Sequence, residues 1–465
     1  MPAVADRAHA ARRGAERGRA SGSPPDLRLP ADTIPLAVLA LIGIGGLAVL
    51  ALWWKDTFNV VGAAGWLTGA GRITGLLAGY LTPLLLLLMA RVPVLERRVG
   101  SDRLARWHAL AGRYMVCLVA THILTIIWGY AYTARKSVVN EAVYVVFDYP
   151  EMIKGTLAAL VMFGTAFISA RAARRRLSYE TWYYLHLGTY LAIALAFSHQ
   201  IVNGADLDTG PARVLWSAYY VGAFAILGWY RLVVPWRNDR RHQLRVAEVR
   251  PEGPGVVSVI LTGEHLDELR AEAGQFFRLQ FQAKGLRWTA NPYSLSAAPH
   301  PRFLRFTVKD LGGHSAAVAR LRPATKVRIE GPYGAFTADR VRARKVLLLA
   351  GGVGITPIRA LFETLPAKRG DLTLLYRASG PADVIFRQEL ESIAAARGAR
   401  LTFLVGPRSE VGDPLTARTL SKLVPNLNRH DVFICGPEPM AAAAVQALRE
   451  CGVKRSRIHH ESFAF

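Results

Sequence analysis

Six long apolar stretches occupy the first half of the chain, at residues 33–54, 73–90, 107–131, 155–172, 181–202 and 213–236. Each is close to the roughly twenty residues that an α-helix needs to cross the hydrocarbon of a bilayer, so the pattern predicts six transmembrane helices, the fourth the shortest. Pro235 and the charged run 237–241 close the last of them, and the pattern then changes. VVSVILTG, FFRLQFQ, LRFTVKD and KVRIEG are short, rich in β-branched and aromatic residues, and broken by glycine and proline, which predicts a small antiparallel β-barrel. From Lys345 onward the apolar strands VLLLAGG, LTLLYRA, RLTFLVG and DVFICG alternate with helical segments, the mark of an α/β domain on a parallel sheet. The predicted fold is multidomain: a basic tail at 1–32, an all-α six-helix bundle at 33–236, a β-barrel at 239–342 and an α/β domain at 343–465.

Charge fixes an orientation for that bundle. The chain of 465 residues is 51% hydrophobic yet carries a formal charge of +24, and much of that charge sits in tails and loops. Arg91, Arg97, Arg98, Arg103 and Arg106 lie between spans two and three, and Arg171, Arg174, Arg175 and Arg176 between spans four and five. The other loops carry Asp56, Glu141, Asp148, Glu151, Asp206 and Asp208 with fewer cations. By the positive-inside rule a multi-pass protein of the cell membrane is expected, with the N-terminus and the C-terminal domains cytoplasmic. The cations find a partner in anionic membrane lipid rather than nucleic acid. Three cysteines without CxxC spacing argue against a disulfide framework or a cysteine-ligated metal.

Four of the twelve histidines fall inside the spans: His108 and His122 on the third, His186 and His199 on the fifth. Ionisable groups in a membrane are costly and mark function. Separations of 14 and 13 residues correspond to about 21 and 19.5 Å of helix rise, one histidine near each membrane face on each helix. His108 with His186, and His122 with His199, can then each ligate one haem iron axially. Thirteen residues at 100° leave His199 about 140° out of phase with His186, so a bend or π-bulge is expected between them. Arg113, between the histidines of span three, is the candidate partner of haem propionates, with Arg72 as second choice. The competing reading from another class is a nucleotide-sensing membrane transporter whose histidines relay protons, without haem.

The soluble half holds Asn291, Pro292, Tyr293 and Ser294 in NPYSLS, then Gly312, Gly313 and Ser315 in GGHS, then GPYG at 331–334. An aromatic ring, a hydroxyl and turn N–H groups suit a flavin ring and its diphosphate. GGVGITP, with Gly351, Gly352, Gly354, Thr356 and Pro357, follows a strand and opens a helix, where the backbone can approach a diphosphate. CGPEPM, with Cys435, Gly436 and Pro437, repeats that arrangement. In this order these motifs resemble the ferredoxin-reductase superfamily of FAD and NAD(P) modules, and the six spans with paired histidines resemble the ferric-reductase and NADPH-oxidase transmembrane domain. The joint resemblance covers about residues 33–465.

The resemblance implies an NAD(P)H-dependent transmembrane oxidoreductase with FAD, NADPH or NADH, and two b-type haems. Its flavin contacts fall on Asn291, Pro292, Tyr293, Ser294, Gly312, Gly313 and Ser315, and its nicotinamide contacts on Gly351, Gly352, Gly354, Thr356, Pro357, Cys435, Gly436 and Pro437. The family usually places Arg or His where Asn291 stands, which removes a charged contact to the FAD phosphates. Its members end on an aromatic that covers the flavin, here Phe465 with Phe463 second. Arg377 is placed to receive a 2′-phosphate. Tyr293, Ser294, Cys435 and Phe465 are thus the residues expected at the reacting centre. The implied acceptor is a small molecule, a ferric chelate first and dioxygen, as in a superoxide-producing oxidase, second.

Overall fold

The structure, a computed structural model, describes residues 33–55, 57, 60–170, 176–177, 179–208, 210–406 and 415–461. The expected basic tail at 1–32, Asp56, Arg171, Arg174 and Arg175, and the candidate flavin covers Phe463 and Phe465 lie outside the described residues.

Among the described residues six helices are long and apolar enough to cross a membrane. They are α1 (Thr33–Trp54), α2 (Gly62–Leu88), α3 (Ser101–Ala134), α4 (Met152–Ser169), the pair α5 (Tyr179–His186) and α6 (Gly188–Asn203), and α7 (Gly210–Gly228) continuing into α8 (Val234–His242). The packed neighbours are α2 with α3, α4 with α6, and α7 with α2. Close approach of α2 has a sequence cause. Gly71, Gly75 and Gly79 recur every fourth residue on one face, and a Cβ on them would collide with Ile126, His122 and Trp216 respectively.

Two expected boundaries move. The second span starts at Gly62 rather than at 73, because its glycine-rich first turns are helical and packed under α3. Pro235 does not close the last span: Trp229–Val233 is a π-helical turn, and Pro235 sits at the start of α8, where its missing N–H costs little. The bend expected in span five is present at Leu187, which separates α5 from α6 between the two histidines. A helix at Val138–Asp148, capped by Ser137, joins spans three and four and was not anticipated from the hydropathy pattern.

The soluble half begins with β1 (Arg245–Gly253), β2 (Val256–Thr262), β3 (Phe276–Phe281), β4 (Asn291–Ser294), β5 (Phe303–Lys309) and β6 (Val327–Tyr333). They form two antiparallel three-stranded sheets, β1-β2-β5 and β4-β3-β6, closed over a core that includes Phe277, Phe281, Leu295 and Phe306. Next come β7 (Lys345–Gly351), α9 (Ile355–Thr364), β8 (Leu372–Ala378), α10 (Arg387–Arg397), β9 (Arg400–Val405), β10 (His430–Cys435), α11 (Glu438–Glu450) and β11 (Ile458–Glu461). The strands make one parallel sheet in the order β11-β10-β7-β8-β9. Its faces are covered separately, by Ile358, Phe362 and Leu390 on one side and by Leu420, Ala444 and Leu448 on the other. That two-sided burial explains why VLLLA reads as an unbroken apolar run rather than an alternation. The short edge strand β11, with the sequence IHHE, carries no such run and was not foreseen.

Candidate functional site

In the bundle, α3 presents His108 toward His186, beside the break between α5 and α6, and His122 toward the level of His199. The rings of His108 and His186 lie 6.2 Å apart, centroid to centroid, at 72°. His108 donates from Nδ1 to the carbonyl of Leu85 at 3.1 Å, and His122 from Nδ1 to that of Gly71 at 2.8 Å. With Nδ1 of each spent on α2, Nε2 is the ring nitrogen left to bind a metal, the tautomer that prepares a histidine as a ligand. His186 stacks on Trp182 at 5.0 Å, and its Nδ1 is 3.4 Å from Ser169 Oγ. His199 on α6 lies against Gly155, where a Cβ would come within 3.2 Å of its Nδ1. No cluster of three histidine, cysteine or carboxylate groups fit for a metal ion exists among the described residues.

The glycines that let α2 supply these carbonyls were missed by the sequence reading. The signal was present as the fourfold spacing Gly71, Gly75, Gly79, and a Cβ at Gly75 would stand 2.6 Å from His122 Nδ1. Arg113 is exposed on α3 between the two histidine levels. Arg72 is engaged elsewhere: its guanidinium forms a two-pronged ion pair with Asp206, which is 3% exposed. Asp206 is therefore a buried partner of Arg72.

In the soluble half the GGVGITP and CGPEPM turns meet at the carboxyl ends of β7 and β10, where open α/β sheets bind ligands. A Cβ on Gly351 would reach 2.2 Å from Met440 Sδ, and one on Gly354 would reach 2.2 Å from the carbonyl of Cys435. The adjoining cleft is lined by Gly351, Gly352, Arg377, Asp383 and Pro437, and across it by Val256 and Lys309 of the barrel. Gly352 has φ +53° with open space at its Cα, as a backbone facing a ligand requires. Thr356 is buried and donates to the carbonyl of Val353, so it shapes the turn, and Pro357 is buried inside α9. Arg377 donates from Nη1 to the carbonyls of Ala378 and Leu404.

Cys435 is fully buried, and burial, reinforced by Glu461, pushes its thiol well above the usual range. Glu461 pairs with it across β10 and β11 and was not singled out from the sequence. Its carboxylate oxygen Oε2 is buried without a hydrogen-bond partner among the described residues.

On the barrel, Asn291 to Ser294 form β4 against β3, with Ser294 buried. Burial raises the Tyr293 hydroxyl to about 12, partly offset by a hydrogen bond with Asn291. In the GGHS turn, Gly312 donates to Asp310 Oδ1 at 2.8 Å and Leu311 to Ser315 Oγ at 2.8 Å, so Ser315 closes the turn. Those two N–H groups are internally satisfied, and the open Cα positions of Gly312 and Gly313 remain for a ligand.

The two halves touch at one end of the bundle. The Arg91 guanidinium lies 5.1 Å from the ring centre of Tyr333 in GPYG, Arg340 donates to the carbonyl of Arg98, Tyr184 to that of Trp288, and Arg231 pairs with Glu330 at 4.0 Å. That is also the end at which His108 and His186 stand.

Comparison with known proteins finds a likeness for each half. Residues 74–197 match the family described as ferric reductase like transmembrane component, and residues 348–446 match the oxidoreductase NAD-binding domain. The chain is 30% identical over 244 residues to the glycine betaine monooxygenase reductase subunit of Chromohalobacter salexigens, covering 49% of this chain and 65% of that protein. It is 33% identical over 239 residues to the 3-ketosteroid-9-alpha-monooxygenase ferredoxin reductase component of Mycobacterium tuberculosis, covering 49% and 66%. The chain thus spans just under two thirds of these relatives' length. Among solved structures, the FAD/NAD-binding domain of the nitric oxide dioxygenase of Vibrio cholerae aligns with a TM-score of 0.40 and 25% identity, over 48% of this chain and 99% of that one.

The chain thus joins, on one polypeptide, helices long and apolar enough to cross a membrane, with a stretch similar to a ferric-reductase-like transmembrane component, to a stretch similar to an oxidoreductase NAD-binding domain.

Proposed function

We propose that this chain carries electrons from cytoplasmic NAD(P)H, through FAD and two b-type haems, to a ferric chelate on the far side of a cell membrane. The observation that supports this reading most directly is the pairing of His108 with His186 at 6.2 Å. Two imidazoles at this separation could hold one haem iron between them, each supplying a ring nitrogen as ligand. His122 and His199 would hold the second haem at the other level, with Arg113 beside the propionates. When bound, FAD turns a two-electron hydride into single electrons that haems can carry.

The protein's own part is positioning. Gly351, Gly352, Gly354, Gly436 and Pro437 leave room for the dinucleotide, Cys435 and Ser294 wall the reacting centre, and Tyr293 offers a flat, protonated ring for the flavin. Contacts of Arg91 with Tyr333 and of Tyr184 with Trp288 hold the barrel at the end where His108 and His186 stand, which keeps the electron path short. The ferric chelate is preferred as acceptor because of the ferric-reductase likeness of residues 74–197.

The test is an anaerobic visible spectrum of the detergent-purified chain, with haem and FAD quantified. Two low-spin bis-histidine haems per chain, reduced by NAD(P)H and reoxidised by ferric citrate, are expected. Absence of haem would sink the proposal, and superoxide formation without ferric reduction would move the acceptor to dioxygen.

A further inference from the structure

The reductase half hides its large apolar side chains well. Among the described residues from 243 onward only two large hydrophobic residues are exposed, Trp288 at 76% and Leu311 at 83%. They are not scattered. Trp288 lies on the loop between β3 and β4, Leu311 on the turn after β5, and a 2.8 Å hydrogen bond between Thr289 Oγ1 and His314 Nδ1 ties the two loops together. The Trp288 loop also reaches the bundle: its carbonyl accepts from Tyr184 Oη at 3.4 Å, and Tyr184 stands within the first turn of the span Thr181–Asn203. A residue held at the mouth of a membrane span stands at the level of lipid headgroups. Flanking Trp288 in the loop, Lys284 and Arg287 are exposed, and Leu286 is buried as the loop's inner anchor.

From this juxtaposition we infer that the Lys284–Trp288 loop is a second membrane-docking element, with the Trp288 indole in the headgroup region and Lys284 and Arg287 on anionic phospholipid. Indole rings favour the membrane interface because they are apolar over most of their surface and carry one N–H donor. Cations a few ångströms from an anionic leaflet gain from its negative potential, and the gain falls off over a Debye length. The loop would thereby fix the tilt of the barrel on the membrane, adding to the direct contacts of Arg91 and Arg231. The inference rests on the six spans crossing a bilayer and is independent of whether the histidine pairs hold haem.

The experiment uses the full-length holoenzyme labelled with 5-fluorotryptophan in lipid nanodiscs, the Trp288 resonance being assigned by its loss in Trp288→Phe. With nitroxide-labelled lipid present, that resonance is expected to broaden in phosphatidylcholine discs containing phosphatidylglycerol, and to broaden less in phosphatidylcholine alone. The double variant K284E/R287E is expected to abolish the difference between the two lipids. A resonance broadened by an aqueous gadolinium chelate and untouched by labelled lipid would overturn the docking. Equal broadening in both lipids would overturn the choice of an anionic headgroup. Haem and flavin content of the same samples separates these outcomes from a failure of the electron-transfer reading.

Discussion

His122 approaches α2 over a glycine: its Nδ1 donates to the Gly71 carbonyl at 2.8 Å, and a single Cβ at Gly75 would stand 2.6 Å from the same atom. The imidazole cannot keep that hydrogen bond if Gly75 gains a side chain, and a histidine turned by even a fraction of an ångström loses the orientation set by its Nδ1 partner. Gly75→Ala is therefore expected to lower haem from two to about one per chain while leaving the His108/His186 haem reducible by NAD(P)H. Quantifying haem per chain and the reduced spectrum checks it. Two haems retained with unshifted potentials would show that the glycine serves packing alone.

Glu389 joins the barrel to the nucleotide domain. Arg305 of β5 grips it with two bonds of 2.7 and 2.9 Å, and Arg359 of α9 adds a third at 2.9 Å, both arginines being almost buried. Burial raises the Glu389 carboxyl, but the two guanidiniums outweigh it and hold the group below its ordinary range. A depressed carboxyl contributes stability that is present above the unfolded value and lost as pH falls through the folded one. Glu389→Ala takes from Arg305 its carboxylate partner and leaves Arg359 with Glu363. Discounted for the partial exposure of Glu389, it is expected to cost the reductase half about 2 kcal/mol near neutral pH, or roughly 4–8 °C in its melting transition. Calorimetry at pH 7 and pH 4 should find the gap narrowing at the lower pH.

Much of this organisation was legible in the sequence because its signals are periodic or local. Twenty-residue apolar runs, the strand–glycine–helix order of GGVGITP, and the histidine spacing each follow from one element's own geometry. The phase mismatch between His186 and His199 called for a break between them, and the helix is interrupted at Leu187. What escaped depends on contacts between elements distant in sequence. The pairing of Arg72 with Asp206 crosses 134 residues, and the burial of Glu461 needs β11 to dock beside Cys435. Pro235 misled because a proline ends a helix only when the preceding turn cannot adapt, and here a π-helical turn absorbs it.

Arg377 marks a point where residue type and geometry disagree about the cofactor. An arginine at the end of β8 suits a 2′-phosphate, yet this guanidinium is held by the carbonyls of Ala378 and Leu404, and the carboxylate of Asp383 lines the same cleft. Arg377→Ala is expected to change the ratio of kcat/KM for NADPH over NADH by less than about threefold, under roughly 0.7 kcal/mol. Steady-state kinetics with both nucleotides decides it. A fall of tenfold or more in the NADPH ratio would mean that the arginine leaves its carbonyls to bind the phosphate.

Glu461 offers the sharpest pH dependence in the soluble half. Burial, with a smaller contribution from the charge of Asp102, raises its carboxyl to about 8. The sign follows from which state holds the proton. Below about 4.3, the ordinary glutamate value, both folded and unfolded chains are protonated and the group contributes nothing. Between that value and 8 the unfolded chain releases a proton that the folded chain keeps, so stability falls as pH rises, and above 8 the full cost of a buried carboxylate remains. Glu461→Gln removes the titration while keeping the shape. Its reductase-half melting temperature is expected to rise relative to the unsubstituted chain by an increment that grows steadily from pH 5 to pH 8 and then levels off. Asp102→Asn, by removing the neighbouring charge, should shift the onset of that levelling to lower pH. An increment that stays constant across this range would mean that Glu461 is ionised in the folded chain throughout, with a compensating cation or water beside Oε2.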